Sequence, residues 1–336
     1  MGEPPEGDAQ AAGLAPVDEA EPSAVVVGGQ EEQVRVQAAG ALSSAAPAIQ
    51  WYPGHIAKAE KALAENLAKV DLVIEVRDAR IPLATSHPRL QRWISGKQHL
   101  LVLNRVDMIP PPVRQAWTAW FKSQDQTCWW CDAKAGTGVK QLQQAAIRAG
   151  AALNTRRAGR GMKPRPVRAL MLGFPNVGKS ALINRLVRQK VVDSARRAGV
   201  TRSLRWVRLG QDLDLLDAPG VLPPRLDDQQ AALRLALCDD IGQAAYDNEA
   251  AALAFLQLLT LLEAEPAAGV QPALVEKRYG IPLGALVGGG PDVEGWLAAA
   301  AARHTSGDSL RMATKLLDDF RCARLGAIAL ELPAAP

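Results

Sequence analysis

Short apolar runs alternate along the chain with longer segments in which apolar residues recur every three or four positions. The short runs predict buried strands, and the longer segments predict amphipathic helices. Alternation of this kind predicts an α/β domain with a mostly parallel sheet and helices on both faces. Strands are predicted at 72–76, 99–103, 127–131, 167–172, 204–209 and 213–216, and helices at 56–69, 112–122, 138–152 and 178–187.

After residue 228 the apolar spacing predicts helices only, so a small all-helical domain is expected to follow the α/β domain. Proline and glycine separate these helices, most clearly in the run 288–291 (GGGP). The first domain is predicted to span 49–238 and the helical domain 239–331. The helices are predicted at 228–238, 248–262, 271–279, 293–302 and 308–323.

Two segments show neither pattern. Residues 1–48 are rich in Ala, Pro, Gly and Glu and contain no aromatic residue, which predicts a disordered acidic tail. Residues 154–166 carry five basic residues, no acidic residue, two glycines and two prolines. This composition predicts an exposed linker between the two halves of the α/β domain.

Charge and composition narrow the possible functions. The tail carries eight acidic residues and one basic residue, whereas the rest of the chain carries 38 basic and 27 acidic residues. A basic body suits a polyanionic partner such as nucleic acid, although many enzymes are equally basic. Apolar runs are too short to cross a bilayer, and the acidic start argues against a secretory signal. We therefore expect a cytoplasmic protein that binds no membrane.

The four cysteines are too few and too scattered for a disulfide scaffold. Two of them form a C-x-x-C pattern at 128–131 (CWWC), on a predicted strand. Residues three apart on a strand point to opposite faces, so we expect core cysteines rather than a metal or redox site.

The strongest chemical signal is the run 173–180 (GFPNVGKS), which matches G-x-x-x-x-G-K-[ST] in full and lies between a strand and a helix. Its backbone N–H groups and the helix N-terminus are expected to bind phosphates. Lys179 is predicted to contact the β- and γ-phosphates, and the hydroxyl of Ser180 to bind Mg²⁺. The residues predicted to surround the phosphates are Pro175, Asn176, Val177, Gly178, Lys179, Ser180 and Ala181.

The run 217–220 (DAPG) predicts the element that senses the γ-phosphate. Asp217 ends a strand, where a carboxylate can hold Mg²⁺ directly or through water. The N–H of Gly220 can reach the γ-phosphate because glycine has no side chain in the way. Thr201, in the exposed segment between the two motifs, is the natural second hydroxyl ligand of Mg²⁺, with an ordinary surface threonine as the alternative.

Two strand ends carry candidate base-reading residues. A carboxylate at Asp107 can accept hydrogen bonds from N1–H and the N2 amine of guanine, whereas adenine would leave it unpaired, which favours GTP over ATP. The N–H of Ala133 can contact guanine O6, and the stem of Lys134 can pack on the ring edge. The complete base-reading set is Asn104, Arg105, Asp107, Asp132, Ala133 and Lys134.

The two base-reading runs are similar to the N-K-x-D and S-A-K motifs of GTPases, with Arg105 in place of Lys and Asp132 in place of Ser. Arginine can still stack on a base, and aspartate can still fix a tight loop. Both runs precede the phosphate-binding loop, which reverses the usual order and predicts a circularly permuted P-loop GTPase domain. The chain then enters the helical domain directly after 217–221, so movement of that segment would pull on the helices.

The permuted order, together with the runs 51–59 (WYPGHIAKA), 173–186 and 217–221 (DAPGV), resembles the ribosome biogenesis GTPase A family. The resemblance spans about residues 50–331, with a looser C-terminal part. It implies a GTPase that acts late in assembly of the large ribosomal subunit, with the helical domain contacting rRNA. Six basic residues in 154–168 and eight between Arg185 and Arg208 suit RNA phosphates, with solvated surface charge as the alternative. The sequence does not define the oligomeric state, and we expect a monomer.

Two further roles follow from this comparison. Val221 stands where many GTPases keep a glutamine that orients water, and the resemblance points to His55 for that task, with a helix cap as the alternative. Similarity to potassium-dependent GTPases suggests Asn176 as a K⁺ ligand, with a loop-stabilising hydrogen bond as the alternative. Two rival functions stay open: a GTP-binding scaffold with little turnover, and a GTPase acting on another RNA such as tRNA.

Overall fold

The computed structural model describes residues 49, 63, 65–187, 192, 204–223, 226–283, 286–287 and 290–334. The predicted tail 1–48 lies outside the described residues, as do His55 with the run 51–59 and Thr201. Of the predicted helix 56–69, residues 63 and 65–69 are described; 63 and 65–67 are helical, and 68–69 form a turn.

A six-stranded sheet with the order β3-β2-β1-β4-β6-β5 forms the centre of the molecule. The pairs β1–β2, β2–β3, β1–β4 and β4–β6 are parallel. Strand β5 pairs antiparallel with β6 at one edge of the sheet. All seven residues of β1 are buried, as expected of a strand covered on both faces. The strands are β1 Leu72–Asp78, β2 Gln98–Asn104, β3 Cys128–Cys131, β4 Val167–Leu172, β5 Arg205–Leu209 and β6 Leu213–Asp217.

Helices cover the two faces of the sheet because each strand alternates apolar side chains between them. Val73, Leu170 and Leu216 lie side by side in register and pack with Leu63 and Leu90 on one face. Their chain neighbours join the larger core on the other face. The helices of this domain are α1 Leu90–Ile94, α2 Pro111–Ser123, α3 Val139–Ala158 and α4 Lys179–Val187.

The second half of the chain is mainly helical. Four of its helices begin at an aspartate whose carboxylate accepts a hydrogen bond from backbone N–H groups of the first turn, a strong helix-start signal. The aromatic rings of Phe255 and Phe320 pack 4.7 Å apart and join the longest two of these helices. The helices are α5 Gln229–Leu237, α6 Asn248–Glu263, α7 Pro272–Tyr279, α8 Val293–His304 and α9 Ser309–Arg321.

The C-terminal segment returns from the helices to the α/β domain. The buried carboxylate of Glu331 accepts hydrogen bonds from the backbone N–H groups of Leu83 (2.7 Å) and Ala84 (3.0 Å). Its carbonyl accepts from the indole of Trp117, and Leu330 N–H donates to the Arg80 carbonyl. One continuous apolar core therefore runs from the sheet into the helices.

Three local predictions need correction. The predicted linker 154–166 is wrong in its first part, because α3 continues to Ala158. Arg156 and Arg157 lie in the last turn, where basic side chains favour the helix C-terminus. The short helix α1 was not predicted. Neither was the two-stranded pair β7 (Leu286–Val287) and β8 (Gly290–Pro291), in a region where helices alone were expected.

The two cysteines of the C-x-x-C run lie in the described part of the chain. Cys128 is half-buried and Cys131 is buried at the two ends of β3, and both thiols are free. Burial raises the pKa of the Cys131 thiol to about 12, which makes it unreactive. In the same part of the chain, each helix is too short or too polar to span a bilayer.

Candidate functional site

The run 173–180 forms a tight loop between β4 and α4. Gly173 has φ +154°, and a Cβ there would lie 2.2 Å from the Val76 carbonyl oxygen. Gly178 has φ +100°, and a Cβ there would lie 2.2 Å from the amide nitrogen of Asn104. Only glycine fits both positions, and the resulting curl leads directly into the N-terminus of α4.

Lys179 is the first residue of α4 and is buried beneath the loop. Its ammonium donates hydrogen bonds to the carbonyl oxygens of Gly173 (3.1 Å) and Phe174 (2.8 Å). Burial lowers the pKa of Lys179 to about 8, although Asp217 and Asp240 act in the opposite direction. The ammonium is thus held inside the loop by weak neutral acceptors, which phosphate oxygens can replace with a gain in charge pairing.

Ser180 and Asp217 lie together at the ends of their elements. The Ser180 hydroxyl donates to Asp217 Oδ2 at 3.1 Å. Asp217 Oδ1 is buried and makes no hydrogen bond to any described residue, and burial raises the pKa of this carboxyl. A hydroxyl beside a carboxylate with an unused oxygen fits the oxygen ligands that Mg²⁺ prefers.

Ser180 and Asp217 together offer few oxygen ligands to a metal ion. Nowhere in the described ranges do three or more His, Cys, Asp or Glu side chains cluster in a way that would hold a metal alone. Mg²⁺ at Ser180 and Asp217 would therefore take its remaining ligands from phosphate oxygens and water, which is how this ion binds in nucleotide sites.

The segment after Asp217 lies directly on the phosphate-binding loop. A Cβ on Gly220 would lie 2.5 Å from Pro175 Cα, so the close approach requires glycine. The Val221 N–H donates to the Gly173 carbonyl at 3.1 Å, and the Val221 side chain is buried. Gly220 therefore adjoins the phosphate-binding loop, and Val221 offers no polar atom to a water molecule.

Asn104 joins the base-reading loop to the phosphate-binding loop. Its amide oxygen accepts from the Ala133 N–H (3.1 Å), and its amide nitrogen donates to the Val177 carbonyl (2.8 Å). Asn104 is buried at the end of β2, where the sheet fixes its position. One side chain thus fixes the Ala133 turn relative to the phosphate-binding loop.

Asp132 fixes the second base-reading run. Its Oδ1 accepts from the N–H groups of Lys134 (2.7 Å) and Ala135 (3.1 Å), which closes a tight Asx turn. Asp107 is exposed nearby, and partial desolvation together with the Asp132 carboxylate raises its pKa. N–H donors would stabilise the ionised form of a carboxylate whose pKa is raised in this way, and guanine presents two such donors.

A cavity of about 680 Å³ opens between the base-reading loop and α4. Ala133 and Ala181 line it, and both were predicted to contact the nucleotide. Arg185 lies at its wall, where its guanidinium donates to the Ala135 carbonyl. Residues of α3 also line it, whereas Lys179 does not, so the cavity covers only part of the predicted nucleotide site.

Arg105 and Asn176 take part in contacts that the motifs did not predict. Arg105 has φ +64°, and its guanidinium pairs with Asp78 (2.9 Å) and donates to the Asn176 carbonyl (2.5 Å). The Asn176 amide donates to the Asp239 carbonyl at 2.6 Å, which is the loop-stabilising role considered above. K⁺ ligation by Asn176 stays a prediction.

Two buried residues near the loop carry no sequence motif. Asp240 is fully buried, and neither of its carboxylate oxygens is hydrogen-bonded within the described part of the chain. Burial and the neighbouring Asp78 raise its pKa well above the ordinary value. His87 packs edge-on to Phe174 and on Trp93, and burial lowers its pKa to about 4. Both follow from tertiary packing, so no sequence signal could have singled them out.

Comparison with known proteins agrees with this geometry. A family described as 50S ribosome-binding GTPase matches residues 168–260. Ribosome biogenesis GTPase A of Bacillus cereus is 40% identical over 188 residues, which are 56% of this chain and 64% of that protein. Its Priestia megaterium counterpart is 38% identical over 213 residues, 63% of this chain and 74% of that protein. The protein Short integuments 2, mitochondrial, of Arabidopsis thaliana is 34% identical over 227 residues, 63% and 57% of the two chains.

Solved structures show the same fold. The GNP-bound YlqF from T. maritima aligns with a TM-score of 0.52 and 21% identity, over 81% of this chain and 97% of that one. The GDP-bound structure of TM YlqF gives the same TM-score at 22% identity, over 81% of this chain and 98% of that one.

The site and the order of its motifs along the sheet define a circularly permuted P-loop GTPase. The chain belongs to the ribosome biogenesis GTPase A family. The family and the fold class predicted from the sequence are both confirmed.

Proposed function

We propose that this GTPase acts in assembly of the large ribosomal subunit, where it binds rRNA and hydrolyses GTP in the cytoplasm as a monomer. The observation that carries the proposal is the link through Asn104, which makes the base-reading and phosphate-binding loops one site. The ribosomal partner is supported by the description of the matching family and by relatives named Ribosome biogenesis GTPase A.

Guanine is selected by Asp107 and by the loop that Asp132 fixes. The Asp107 carboxylate lies near a second carboxylate and is stabilised by the N1–H and N2 donors of guanine. The Ala133 N–H, positioned by Asn104, contacts O6. Lys134 covers the edge of the ring with its aliphatic stem.

The phosphates are held at the other end of the site. Lys179 exchanges its two carbonyl acceptors for phosphate oxygens, and the N-terminus of α4 stabilises their charge. Mg²⁺, when bound, neutralises phosphate charge, with Ser180 and Asp217 as its protein ligands and Thr201 proposed as a third. Gly220 offers its N–H to the γ-phosphate from its position against Pro175.

Positioning of the attacking water requires a polar group other than Val221, which is buried and apolar. We assign this role to His55, following the family motif. A His55→Ala variant is expected to bind GTP normally and to lose about 10²–10⁴-fold of the rate that ribosomal subunits stimulate. Equal stimulated rates for this variant and the wild type would leave His55 with its helix-capping role.

Val221 also favours a second candidate function, a GTP-binding scaffold with little turnover. Single-turnover hydrolysis, measured with and without large subunits, separates the two. We expect stimulation by subunits, and the absence of any stimulation would favour the scaffold. The same assay in KCl and NaCl tests Asn176, because a rate indifferent to the cation would contradict K⁺ ligation there.

Association with the ribosome is tested by co-sedimentation. The wild-type protein, loaded with a non-hydrolysable GTP analogue, should pellet with large subunits at low salt and be released at high salt. Lys179→Ala, which loses phosphate contacts, should pellet less. Co-sedimentation with small subunits or tRNA in place of large subunits would contradict the proposed partner.

A further inference from the structure

A basic surface lies on the GTPase domain at the amino end of β4, away from the nucleotide. It comprises residues 156–168 and the exposed side chains of Trp206 and Arg208 on β5, and we call it the basic edge. The Val167 N–H donates to the Asp212 carbonyl, which places the β5–β6 turn beside this segment. The phosphate-binding loop begins at the opposite, carboxyl end of β4.

The centre of the basic edge is a tryptophan flanked by arginines. Arg168 and Arg208 both lie opposite Asp214 in register, so these three residues share one face of the sheet. Trp206 lies two residues from Arg208 on that face and is 43% exposed. The Arg168 guanidinium lies 5.8 Å from the centre of the Trp206 ring, a cation–π contact that orients the ring.

Basic side chains outnumber acidic ones along the basic edge. Asp71 is occupied by Arg165 at 2.7 Å, and Asp214 lies 3.5 Å from Arg208. The Arg208 side chain remains 78% exposed despite that contact. The exposed basic residues of the edge are Arg156, Arg160, Lys163, Arg168 and Arg208.

In the described part of the chain, four large hydrophobic side chains are exposed, and two of them, Met162 and Trp206, belong to the basic edge. An aromatic ring held by a guanidinium among further cations is the arrangement that binds unpaired nucleotides, with the ring stacking on a base and the cations on phosphates. Arginines on an edge strand also disfavour pairing with a further strand.

We propose that the basic edge binds a single-stranded segment of RNA, with one base stacked on Trp206 and the phosphates paired with the arginines around it. This proposal rests on the proposed function only for the source of the RNA, because the proposed function makes that RNA ribosomal. It adds a second contact surface, on the GTPase domain rather than on the helical domain.

The test is the affinity of the full chain for a fluorescently labelled 12-nucleotide single-stranded RNA. Trp206→Ala should weaken binding about tenfold, because a stacked base is lost, and Trp206→Phe should retain most of the affinity. Arg208→Ala, which removes an exposed guanidinium from the same face as Trp206, should reduce the salt dependence. Leu261→Ala, which removes another exposed hydrophobic side chain (48% exposed) from α6, is the matched control and should change nothing.

Unchanged RNA affinity in Trp206→Ala would overturn the inference. It would also be overturned if poly-glutamate bound with the same sensitivity to Trp206, because the site would then fit an acidic peptide. Co-sedimentation of the wild type with large subunits reports on the proposed function separately. If the wild type fails to pellet while Trp206→Ala still loses RNA affinity, the ribosomal function fails and the RNA surface stands.

Discussion

At the scale of single residues, burial determines the chemistry of the site more than motif identity does. Lys179 and Asp240 are both buried near the phosphate-binding loop, and burial favours the neutral form of each. It lowers the pKa of Lys179 and raises the pKa of Asp240. The motif alone predicts the role of Lys179, because the spacing that defines the motif is local. No motif marks Asp240, because its burial depends on segments far apart in sequence.

Nucleotide affinity should depend on the protonation of Lys179. Its pKa is about 8 in the free protein, and bound phosphates raise it, so the complex holds the proton more tightly. Affinity is therefore fully developed below pH 8 and should fall by up to about tenfold by pH 9. Isothermal titration with GTP from pH 7 to 9 measures this. Lys179→Ala binds the same base and should lack this component, so identical pH profiles would contradict the assignment.

Asp240→Asn should stabilise the fold at neutral and alkaline pH. In the folded state this carboxyl stays protonated above pH 3.9, which is about its pKa in the unfolded chain. The stability of the wild type therefore falls as the pH rises from about 3.9 toward the folded-state pKa. The amide removes this cost, and urea unfolding should show a larger gain at pH 8 than at pH 5. Asp78→Asn is the contrasting variant. Because Asp78 pairs with Arg80, this substitution should lower the stability of the fold. A loss of stability in Asp240→Asn at pH 8 would show an ionised, paired carboxylate.

At the scale of elements, the sequence predicted what local patterns control. Buried strands such as β1 and the helices of the second half were predicted, because an apolar run or apolar spacing is a local signal. The end of α3 and the β7–β8 pair were not, because helix continuation through 154–158 and a two-residue strand pair have weak local signals. The site was predicted as separate motifs, whereas the contact of Gly220 with Pro175 required the fold.

Gly220→Ala should lower GTP affinity selectively. The added Cβ would lie 2.5 Å from Pro175 backbone atoms and move the 217–221 segment off the phosphate-binding loop. Loss of one charge-assisted hydrogen bond to the γ-phosphate is expected to weaken GTP binding about tenfold and leave GDP binding nearly unchanged. Fluorescent nucleotide titrations measure both. Gly159→Ala, whose Cβ meets no atom closer than 3.7 Å, is the control, and an equal loss for GDP and GTP in Gly220→Ala would contradict this role.

At the scale of the whole molecule, the chain ties the helices to the GTPase domain at several places. The 217–221 segment leads into α5, Asn176 holds the Asp239 carbonyl, and Glu331 returns to the loop after β1. The predicted boundary at residue 239 is thus crossed by a shared core. Composition could not reveal this, because it does not show which apolar residues of the two parts are in contact.

Glu331→Ala should loosen the docking of the helices. It leaves the buried N–H groups of Leu83 and Ala84 without their acceptor, which costs about 2 kcal/mol or more in the free energy of unfolding. Urea unfolding measures the loss, and the exposed Glu276→Ala is the control, expected within about 0.5 kcal/mol of the wild type. Equal stability of the two variants would mean that Glu331 does not hold the segment.

The central claim is that motifs from both halves of the permuted chain form one guanine-nucleotide site. Nucleotide specificity of Asp107→Asn tests it most directly. The amide loses the pairing with the guanine N2 amine and gains a donor for the O2 of xanthine. GTP affinity is expected to fall at least about 100-fold while xanthosine triphosphate affinity rises, and xanthosine triphosphate should then support co-sedimentation with large subunits. Unchanged affinities for both nucleotides would contradict the account.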